Sequence, residues 1–308
     1  MTLVLVTGAS GLVGSRVMLR LGATHEVHGT YHQHSPGFLG QSRERLHRLD
    51  VMDLEAVRRT LDALAPEVVV HCAAATDVDG CEDDPGRAFA VNVAPTREIA
   101  AWAQRRGARV VLMSTDYVFD GTSPPYEVDA RPTPLCVYSR SKADAESALR
   151  GVPGALTVRS TVIYGMDVGH HRRNFATWLM DELQAGRPVR VVSDQWNTPT
   201  ISENIAEFIG RALDRQVEGV LHAACDECVA RDEFARRVAR RFGLPEDLIA
   251  PVVTRELNQR ARRPLRPCLS MGRSRQLLGE RAWTIAQSLD LLHRQLAGPD
   301  RSLLKPWW

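Results

Sequence analysis

The 308-residue sequence has no long apolar segment and no strong excess of charge of either sign. Lys and Arg number 39 and Asp and Glu number 37, so the formal net charge is only +2. No apolar run approaches the roughly 20 residues that span a bilayer, and no basic run indicates a nucleic-acid surface. The N-terminus lacks the basic segment and cleavage site of a signal peptide. We therefore expect a cytoplasmic protein with a small-molecule partner, and no nucleic acid or membrane.

Cysteine is scarce as well, and its six positions are 72, 81, 136, 225, 228 and 268. In a protein without a signal peptide these indicate free thiols and not a disulfide framework. Cys225 and Cys228 form a single C-x-x-C. A tetrahedral metal site would need a second such pair or a nearby pair of histidines. The sequence therefore predicts no metal site.

The first half of the chain alternates between β-branched runs and helical periodicity. The predicted strands are residues 3–6, 26–31, 46–49, 68–71, 109–113 and 156–159. The predicted helices are residues 12–21, 54–64, 85–106 and 139–149. Strands separated by helices indicate a parallel sheet with helices on both faces. The fold class is thus α/β, a Rossmann-type doubly wound sheet that binds ligands at the carboxyl ends of its strands.

A glycine-rich turn joins the first predicted strand to the first predicted helix. Gly8, Gly11 and Gly14 have the spacing G-x-x-G-x-x-G. Glycines there permit the tight turn, the close approach of a pyrophosphate and the packing of the helix on the sheet, and the helix N-terminus attracts the phosphates. A purely structural turn is the alternative. The strand-to-helix position favours a dinucleotide site.

These features divide the chain into two functional parts. We expect residues 1–160 to form an NAD(P)-binding Rossmann domain, completed by parts of 200–225. Residues 161–308 are expected to form mainly a smaller substrate-binding lobe. Its predicted helices are residues 174–184, 202–213, 231–242 and 285–296.

The residues that follow the second and third strands bear on the choice of cofactor. The second strand ends in Tyr31-His32 and lacks the acid that would bind a ribose 2′-hydroxyl. His32 could instead face a 2′-phosphate, as could three further basic residues, His34, Arg43 and Arg45. Asp50, before Val51, could accept from the adenine amino group, although Asp50 or Asp53 could equally cap the next helix. NADP(H) is favoured over NAD(H).

A hydroxyl, a phenol and an ammonium occur in the order that carbonyl reduction needs. Thr115 follows a predicted strand, so its hydroxyl would enter the ligand crevice. Tyr138 and Lys142 are four residues apart and share one face of a predicted helix. A neighbouring ammonium lowers the pKa of a phenol, which would suit Tyr138 to acid–base work near neutral pH. Each element alone also has a purely structural explanation. Thr115 could make a local turn, and Tyr138 could be a half-buried tyrosine beside a surface lysine.

At these motifs the sequence resembles the extended short-chain dehydrogenase/reductases, and among them the dTDP-4-dehydrorhamnose reductase (RmlD-like) family. The resemblance runs over nearly the whole chain and is carried by residues 7–14, 71–79, 92, 114–121, 138–142, 159–165 and 194–200. It implies hydride transfer to a keto group of a nucleotide-activated deoxysugar. In that reaction Thr115 orients the oxygen, Tyr138 protonates it and Lys142 supports Tyr138 and the nicotinamide ribose.

The resemblance also implies the lining of the site. The implied cofactor-binding residues are Gly8, Ser10, Gly11, Leu12, Val13, His32, Asp50, Val51, Ala73, Ala74 and Ala75, together with Tyr138 and Lys142. The implied substrate-binding residues are Thr76, Asp77, Val78, Asp116, Tyr117, Asn174, Trp178, Gln195, Trp196, Thr200 and Arg263. Sugar-nucleotide dehydratases carry Asp-Glu after the strand-end Thr, whereas here Asp116 is followed by Tyr117, so a simple reductase is expected.

Two other functions stay open at this point. Relatives in the same superfamily include a regulatory subunit of methionine adenosyltransferase, so the chain could bind a cofactor without catalysis. A sugar-nucleotide epimerase, which uses bound NAD transiently, is the other alternative. A homodimer is a possible assembly.

Overall fold

The computed structural model describes residues 1–35, 43–166, 173–279 and 283–297. Its strands are β1 Leu3–Thr7, β2 Glu26–Tyr31, β3 Leu46–Arg48, β4 Val68–His71, β5 Arg109–Thr115, β6 Leu156–Ser160, β7 Ile163–Tyr164, β8 Val189–Val192, β9 Trp196–Asn197, β10 Thr200–Ile201, β11 Gly219–His222, β12 Val229–Ala230 and β13 Ile249–Val252. Its α-helices are α1 Leu12–Gly22, α2 Leu54–Leu64, α3 Val78–Asp83, α4 Pro85–Asn92, α5 Ala94–Arg106, α6 Val137–Ala148, α7 Phe175–Gln184, α8 Ser202–Asp214, α9 Arg231–Phe242, α10 Gly272–Leu278 and α11 Ile285–Ala297.

Seven strands form one parallel sheet in the order β11-β6-β5-β4-β1-β2-β3. The predicted α/β fold class is confirmed. The chain passes from β1 through α1 to β2 on one side, while β4 lies on the other side of β1. The strand order therefore reverses beside β1. In such sheets ligands bind in the crevice at this point, outside the carboxyl ends of the strands.

The strand pattern explains why both faces of the sheet are covered. Val4 and Val6 face one hydrophobic core, which they share with residues of α1 and α8. Leu5, between them, faces a second core that contains Leu61 and Trp102. Successive side chains of a strand point to opposite faces, so an unbroken apolar strand requires a helical layer on each side.

The predicted helix over residues 85–106 is in fact two helices. α4 ends at Asn92 and α5 begins at Ala94, with Val93 between them. Pro95 stands in the first turn of α5. Proline has no backbone N–H and clashes with the preceding turn, so it is tolerated at a helix start but breaks a helix interior. The Ala-rich composition concealed this break.

The C-terminal half has a core of its own. Leu179 of α7, Phe234 of α9 and Leu289 of α11 lie in one buried cluster. α8 instead packs on α1, and at their contact Arg16 and Glu203 form an ion pair of 2.7 Å with both side chains fully buried.

Cys228 and Cys268 form a disulfide, which corrects the prediction of free thiols for these two residues. Their Cα atoms lie 5.8 Å apart although they are 40 residues apart in sequence. Cys228 precedes β12, which pairs with β9, and the amide of Trp196 in β9 donates to the carbonyl of Leu265, close to Cys268. This tertiary pairing brings the two cysteines together, and their spacing in the sequence does not indicate it. The other four cysteines are free.

Candidate active site

The glycine turn lies at the carboxyl end of β1, beside the reversal of strand order. Gly8 has a φ of +66°, and a Cβ there would lie 2.8 Å from the amide nitrogen of Ala73. A Cβ on Gly11 would lie 3.0 Å from the carbonyl oxygen of Gly8. Gly11 is the N-cap of α1, and no side chain caps that helix. The first amides of a helix have no acceptor within the helix and suit a pyrophosphate. Ser10 lies in the turn, and Leu12 and Val13 open α1.

The alanine segment after β4 forms the facing wall of this crevice. Ala73, Ala74 and Ala75 are all partly buried. Asn92 fixes the segment, because its side chain accepts from the amide of Ala75 and donates to the carbonyl of the same residue, at 2.8 and 3.2 Å. Asn92 also donates to Ser141 on α6 at 2.8 Å. The cofactor crevice is thus tied to the helix that carries Tyr138 and Lys142.

At the far end of the crevice, His32 and Asp50 lie together. His32 Nε2 is 3.6 Å from Asp50 Oδ2, and both side chains are well exposed. Asp50 also accepts from the amide of Met52 at 2.9 Å. Asp53, and not Asp50, caps α2 by accepting from the amide of Ala56. Asp50 therefore uses Oδ1 for the amide of Met52 and has Oδ2 near His32, and Val51 follows it in a turn.

The three other basic residues considered for a 2′-phosphate, His34, Arg43 and Arg45, lie beyond β2, and Arg45 is partly buried. His34 is exposed. The side chain of Arg43 lies outside the described residues.

Thr115, Tyr138 and Lys142 come together where β5 ends. Thr115 is the last residue of β5 and is 7% exposed. α6 passes over this point and carries Tyr138 and Lys142 one turn apart. Lys142 Nζ donates to the carbonyl oxygen of Met113 at 2.7 Å. The three residues that the resemblance implies as catalytic therefore lie together at the carboxyl edge of the sheet.

The expected lowering of the Tyr138 pKa is wrong for this structure. Burial raises the pKa of the Tyr138 phenol well above its usual range, and the hydrogen bond with Thr115 only partly opposes this. Burial also lowers the pKa of Lys142 to about 8. The Lys142 ammonium is directed at the carbonyl of Met113. Desolvation, with the charge of Asp116 acting in the same direction, therefore holds Tyr138 as a neutral phenol.

Behind Thr115 lies a buried carboxylate with a full set of donors. Asp116 is 1% exposed and accepts from Thr161 Oγ1 at 2.5 Å, from Thr115 Oγ1 at 3.1 Å and from Asn197 Nδ2 at 3.3 Å. Burial raises the pKa of Asp116 to about 6, against the opposing effect of these hydrogen bonds. The ring of Tyr117 meets that of Tyr138 edge-on, with centroids 6.1 Å apart.

Sequence reasoning missed Arg231, the first residue of α9. Arg231 Nη2 donates to Asn197 Oδ1 at 3.0 Å, and its guanidinium lies 5.0 Å from the centroid of the Phe175 ring. Pairing of β12 with β9 brings Arg231 to Asn197. Its positive charge favours the ionised forms of Asp116 and Tyr117 and so acts to lower the pKa of each. No spacing in the sequence indicates this contact, because it depends on the register of two short antiparallel strands.

Several residues predicted to bind substrate have structural partners. Asn174 caps α7 and donates to the carbonyl of Gly165 at 2.8 Å. Gln195 is 3% exposed and donates to Thr254 at 3.1 Å. Thr200 is fully buried and donates to the carbonyl of Thr198 at 2.7 Å. These three lie in the walls of the lobe, and a role in substrate binding stays a prediction.

The aromatic residues of the same set are more accessible. Trp178 is partly buried and packs against Phe175, with ring centroids 5.9 Å apart. Trp196 is also partly buried. The guanidinium of Arg266 lies over its ring, 4.9 Å from the ring centroid.

The remaining predicted substrate residues cluster at α3. Asp77 is the N-cap of α3 and accepts from the amide of Gly80, and Val78 opens the helix. Thr76 precedes them and is exposed. Arg263 has a 14% exposed side chain and forms two hydrogen bonds to Asp79, at 3.0 and 3.1 Å. This pair joins the C-terminal segment to the crevice.

Within residues 1–35, 43–166, 173–279 and 283–297, no group of His, Cys, Asp and Glu side chains could hold a metal ion. No helix in the same ranges is long and apolar enough to cross a membrane.

The fold and the glycine turn define a Rossmann-like α/β protein with a ligand crevice at the reversal of strand order. The family model for the RmlD substrate binding domain matches residues 1–296. The chain belongs to this family.

Three relatives illustrate the range of the family. The Haloferax volcanii protein named "Probable low-salt glycan biosynthesis reductase Agl14" is 38% identical and covers 86% of this chain and 89% of its own. The rat methionine adenosyltransferase 2 subunit beta is 32% identical over 81% of this chain and 75% of its own. A crystal structure of a dTDP-4-dehydrorhamnose reductase orthologue from Clostridium acetobutylicum has a TM-score of 0.84 at 27% identity, covering 96% of this chain and 100% of its own.

Proposed function

We propose that the protein is an NAD(P)H-dependent reductase of a keto group on a nucleotide-activated deoxysugar. The observation that carries the proposal is the cluster of Thr115, Tyr138 and Lys142 at the same sheet edge as the glycine turn. The reductase names of two relatives support it.

The protonation state of Tyr138 suits a reduction. When bound, the nicotinamide supplies a hydride to the keto carbon, and the oxygen then needs a proton. Tyr138 is held as a neutral phenol by burial, so it carries that proton at neutral pH. Thr115 orients the oxygen through its hydroxyl at the end of β5. Lys142 supports the phenol as it loses its proton and would hold the nicotinamide ribose.

We further propose that NADPH is preferred over NADH. The support is the absence of an acid at the end of β2, where His32 is 51% exposed. Asp50, beside His32, would then accept from the adenine amino group. Equilibrium titration with both reduced cofactors tests the preference, and tighter binding of NADH would contradict it.

The test of the main proposal is a screen of 4-keto nucleotide sugars with NADPH and with NADH. Oxidation of the reduced nicotinamide is followed by its absorbance. We expect turnover with at least one 4-keto deoxysugar nucleotide. Tightly bound NAD that survives dialysis, together with epimerised product, would favour an epimerase instead.

A regulatory role is the second candidate, because the chain is 32% identical to the methionine adenosyltransferase 2 subunit beta over most of its length. Cofactor binding without turnover in the full screen would favour it. A change in the activity of a methionine adenosyltransferase catalytic subunit on mixing would support it directly.

A further inference from the structure

The chain has almost no lysine. Two of its 39 Lys and Arg residues are lysines, Lys142 and Lys305, and the second lies outside the described residues. Lys142 is 4% exposed. Arginine stays charged at every accessible pH, whereas a buried lysine can lose its proton. The charge of Lys142 therefore depends on its neighbours.

Glu146 lies one further turn along α6, so Tyr138, Lys142 and Glu146 share one face of the helix. Glu146 is 7% exposed, and its carboxylate accepts three hydrogen bonds from two partners, Ser114 and Arg159. Ser114 Oγ donates to Oε1 at 2.5 Å, and Arg159 donates to Oε1 and Oε2 at 3.0 and 2.7 Å. Ser114 precedes Thr115 in β5. Glu146 thus joins the helix of Tyr138 to the strand of Thr115.

The charged and titratable groups around Lys142 come from three elements. Burial lowers the pKa of Lys142 to about 8, and the Glu146 carboxylate acts in the opposite direction. On the β4 side, burial raises the pKa of Cys72 to about 12 and lowers that of His71 to about 3, so both are neutral at pH 7. Arg159, on β6, forms an ion pair with Glu146 at 2.7 Å. Glu146 is therefore the neighbour that favours the ammonium at neutral pH.

We propose that Glu146 is a positioning residue for the reaction, which keeps Lys142 charged and holds α6 at its distance from β5 through Ser114. The inference rests on the proposed function for the role of Lys142. Glu146 would make the same contacts if its ion pair with Arg159 served only the stability of the fold. The test must therefore measure the protonation state of Lys142 directly.

The scarcity of lysine makes that measurement simple. In the full chain with Lys305→Arg, lysine labelled with 13C at Cε gives one resonance, that of Lys142, and its pH titration reports the ammonium. Glu146→Gln keeps a side chain of the same size and removes the charge. We expect the titration midpoint to fall by about one pH unit or more, because loss of a close opposite charge has effects of this order.

Ser114→Ala is the matched control, since it removes a hydrogen bond to Glu146 and keeps the carboxylate. Its midpoint is expected to stay close to that of the parent. Glu146→Gln with Arg159→Met removes both charges of the pair, so its midpoint is expected between those of Glu146→Gln and the parent. This double variant also carries the test if the single variant does not fold, because an uncharged buried pair is better tolerated than an unpaired charge.

An unchanged midpoint in folded Glu146→Gln, or in the double variant, would overturn the inference. So would an equal shift in Ser114→Ala, because that would assign the effect to geometry alone. The NMR titration needs no substrate. A shifted midpoint in a protein that reduces none of the 4-keto sugars would therefore refute the proposed function and leave the role of Glu146 towards Lys142 supported.

Discussion

Thr7 Oγ1 lies 2.7 Å from Nδ1 of His71, which joins the last residues of β1 and β4. Thr7 also accepts from the amide of Ala73 at 3.2 Å. Burial lowers the pKa of His71 to about 3, so the ring is neutral and can take part in this bond as donor or acceptor. The glycine turn and the alanine segment are thereby held face to face. Very little room remains for a side chain at the glycines between them.

Gly14→Ala is expected to abolish tight cofactor binding. The new Cβ would collide with backbone atoms of Gly8 and Ala9, and backbone cannot move aside as a flexible side chain can. Titration with NADPH measures the loss. Gly86→Ala is the control, because its Cβ would meet only Asp84 Oδ1 at 3.5 Å. The control should bind cofactor normally and gain up to about 1 kcal/mol of stability from helix propensity. Normal binding by folded Gly14→Ala would contradict the assignment of the glycine turn.

Tyr138→Phe is expected to bind cofactor and to lose turnover by about two to four orders of magnitude, the usual contribution of general acid catalysis. Steady-state rates on an accepted keto sugar measure this loss. Tyr126→Phe is the control, since Tyr126 donates to Asp120 at 2.6 Å and is not part of the proposed acid–base set. A Tyr138→Phe enzyme with a near-normal rate would assign proton transfer to another acid, Asp116 being the nearest candidate.

Much of the fold could be predicted because it depends on local patterns. The buried runs of β1 and β4 and the glycine turn between β1 and α1 are local signals of strand, turn and helix. The break at Val93 was missed because proline was read as part of an Ala-rich helix. The sequence assigned no bounds to α3, to α10 or to the strands after β6, because elements of two to seven residues carry little periodicity.

Some features of the candidate site could be predicted from the sequence, and others could not. Thr115, Tyr138 and Lys142 follow from motif order. The pKa of Tyr138 could not follow, because it depends on burial that only tertiary packing determines. Arg231 depends likewise on a strand register, which two residues cannot specify.

Reduction of the disulfide between Cys228 and Cys268 is expected to lower the free energy of unfolding. The bridge closes a loop of 40 residues, for which the chain-entropy account gives a loss of about 4 kcal/mol. Urea denaturation with and without a thiol reductant measures it. Cys228→Ser should show the same loss and no further response to reductant. Cys225→Ser, at a free and buried thiol, should keep the response.

The pH dependence of stability provides the test of the buried state of Asp116. The folded-state pKa of Asp116 is about 6 against an ordinary value of 3.8, so the folded protein binds more protons than the unfolded chain between these values. Its contribution to stability is therefore complete below pH 4 and is lost as pH rises through 6. Asp116→Asn cannot titrate. The free energy of unfolding of the variant, relative to the parent, should rise between pH 4 and 7 by up to about 3 kcal/mol.

Asp120→Asn separates this effect from the general response of the protein to pH. Hydrogen bonds from Tyr126 and Thr122 lower the pKa of Asp120 to about 2, so its contribution to stability is lost only as pH falls below about 4. Its difference from the parent should stay constant from pH 5 to 8, while that of Asp116→Asn changes. Urea denaturation of the three proteins at each pH decides the matter. A flat difference for Asp116→Asn over the same range would mean that Asp116 ionises freely behind Thr115, with the hydroxyls of Thr115 and Thr161 and the charge of Arg231 offsetting its burial.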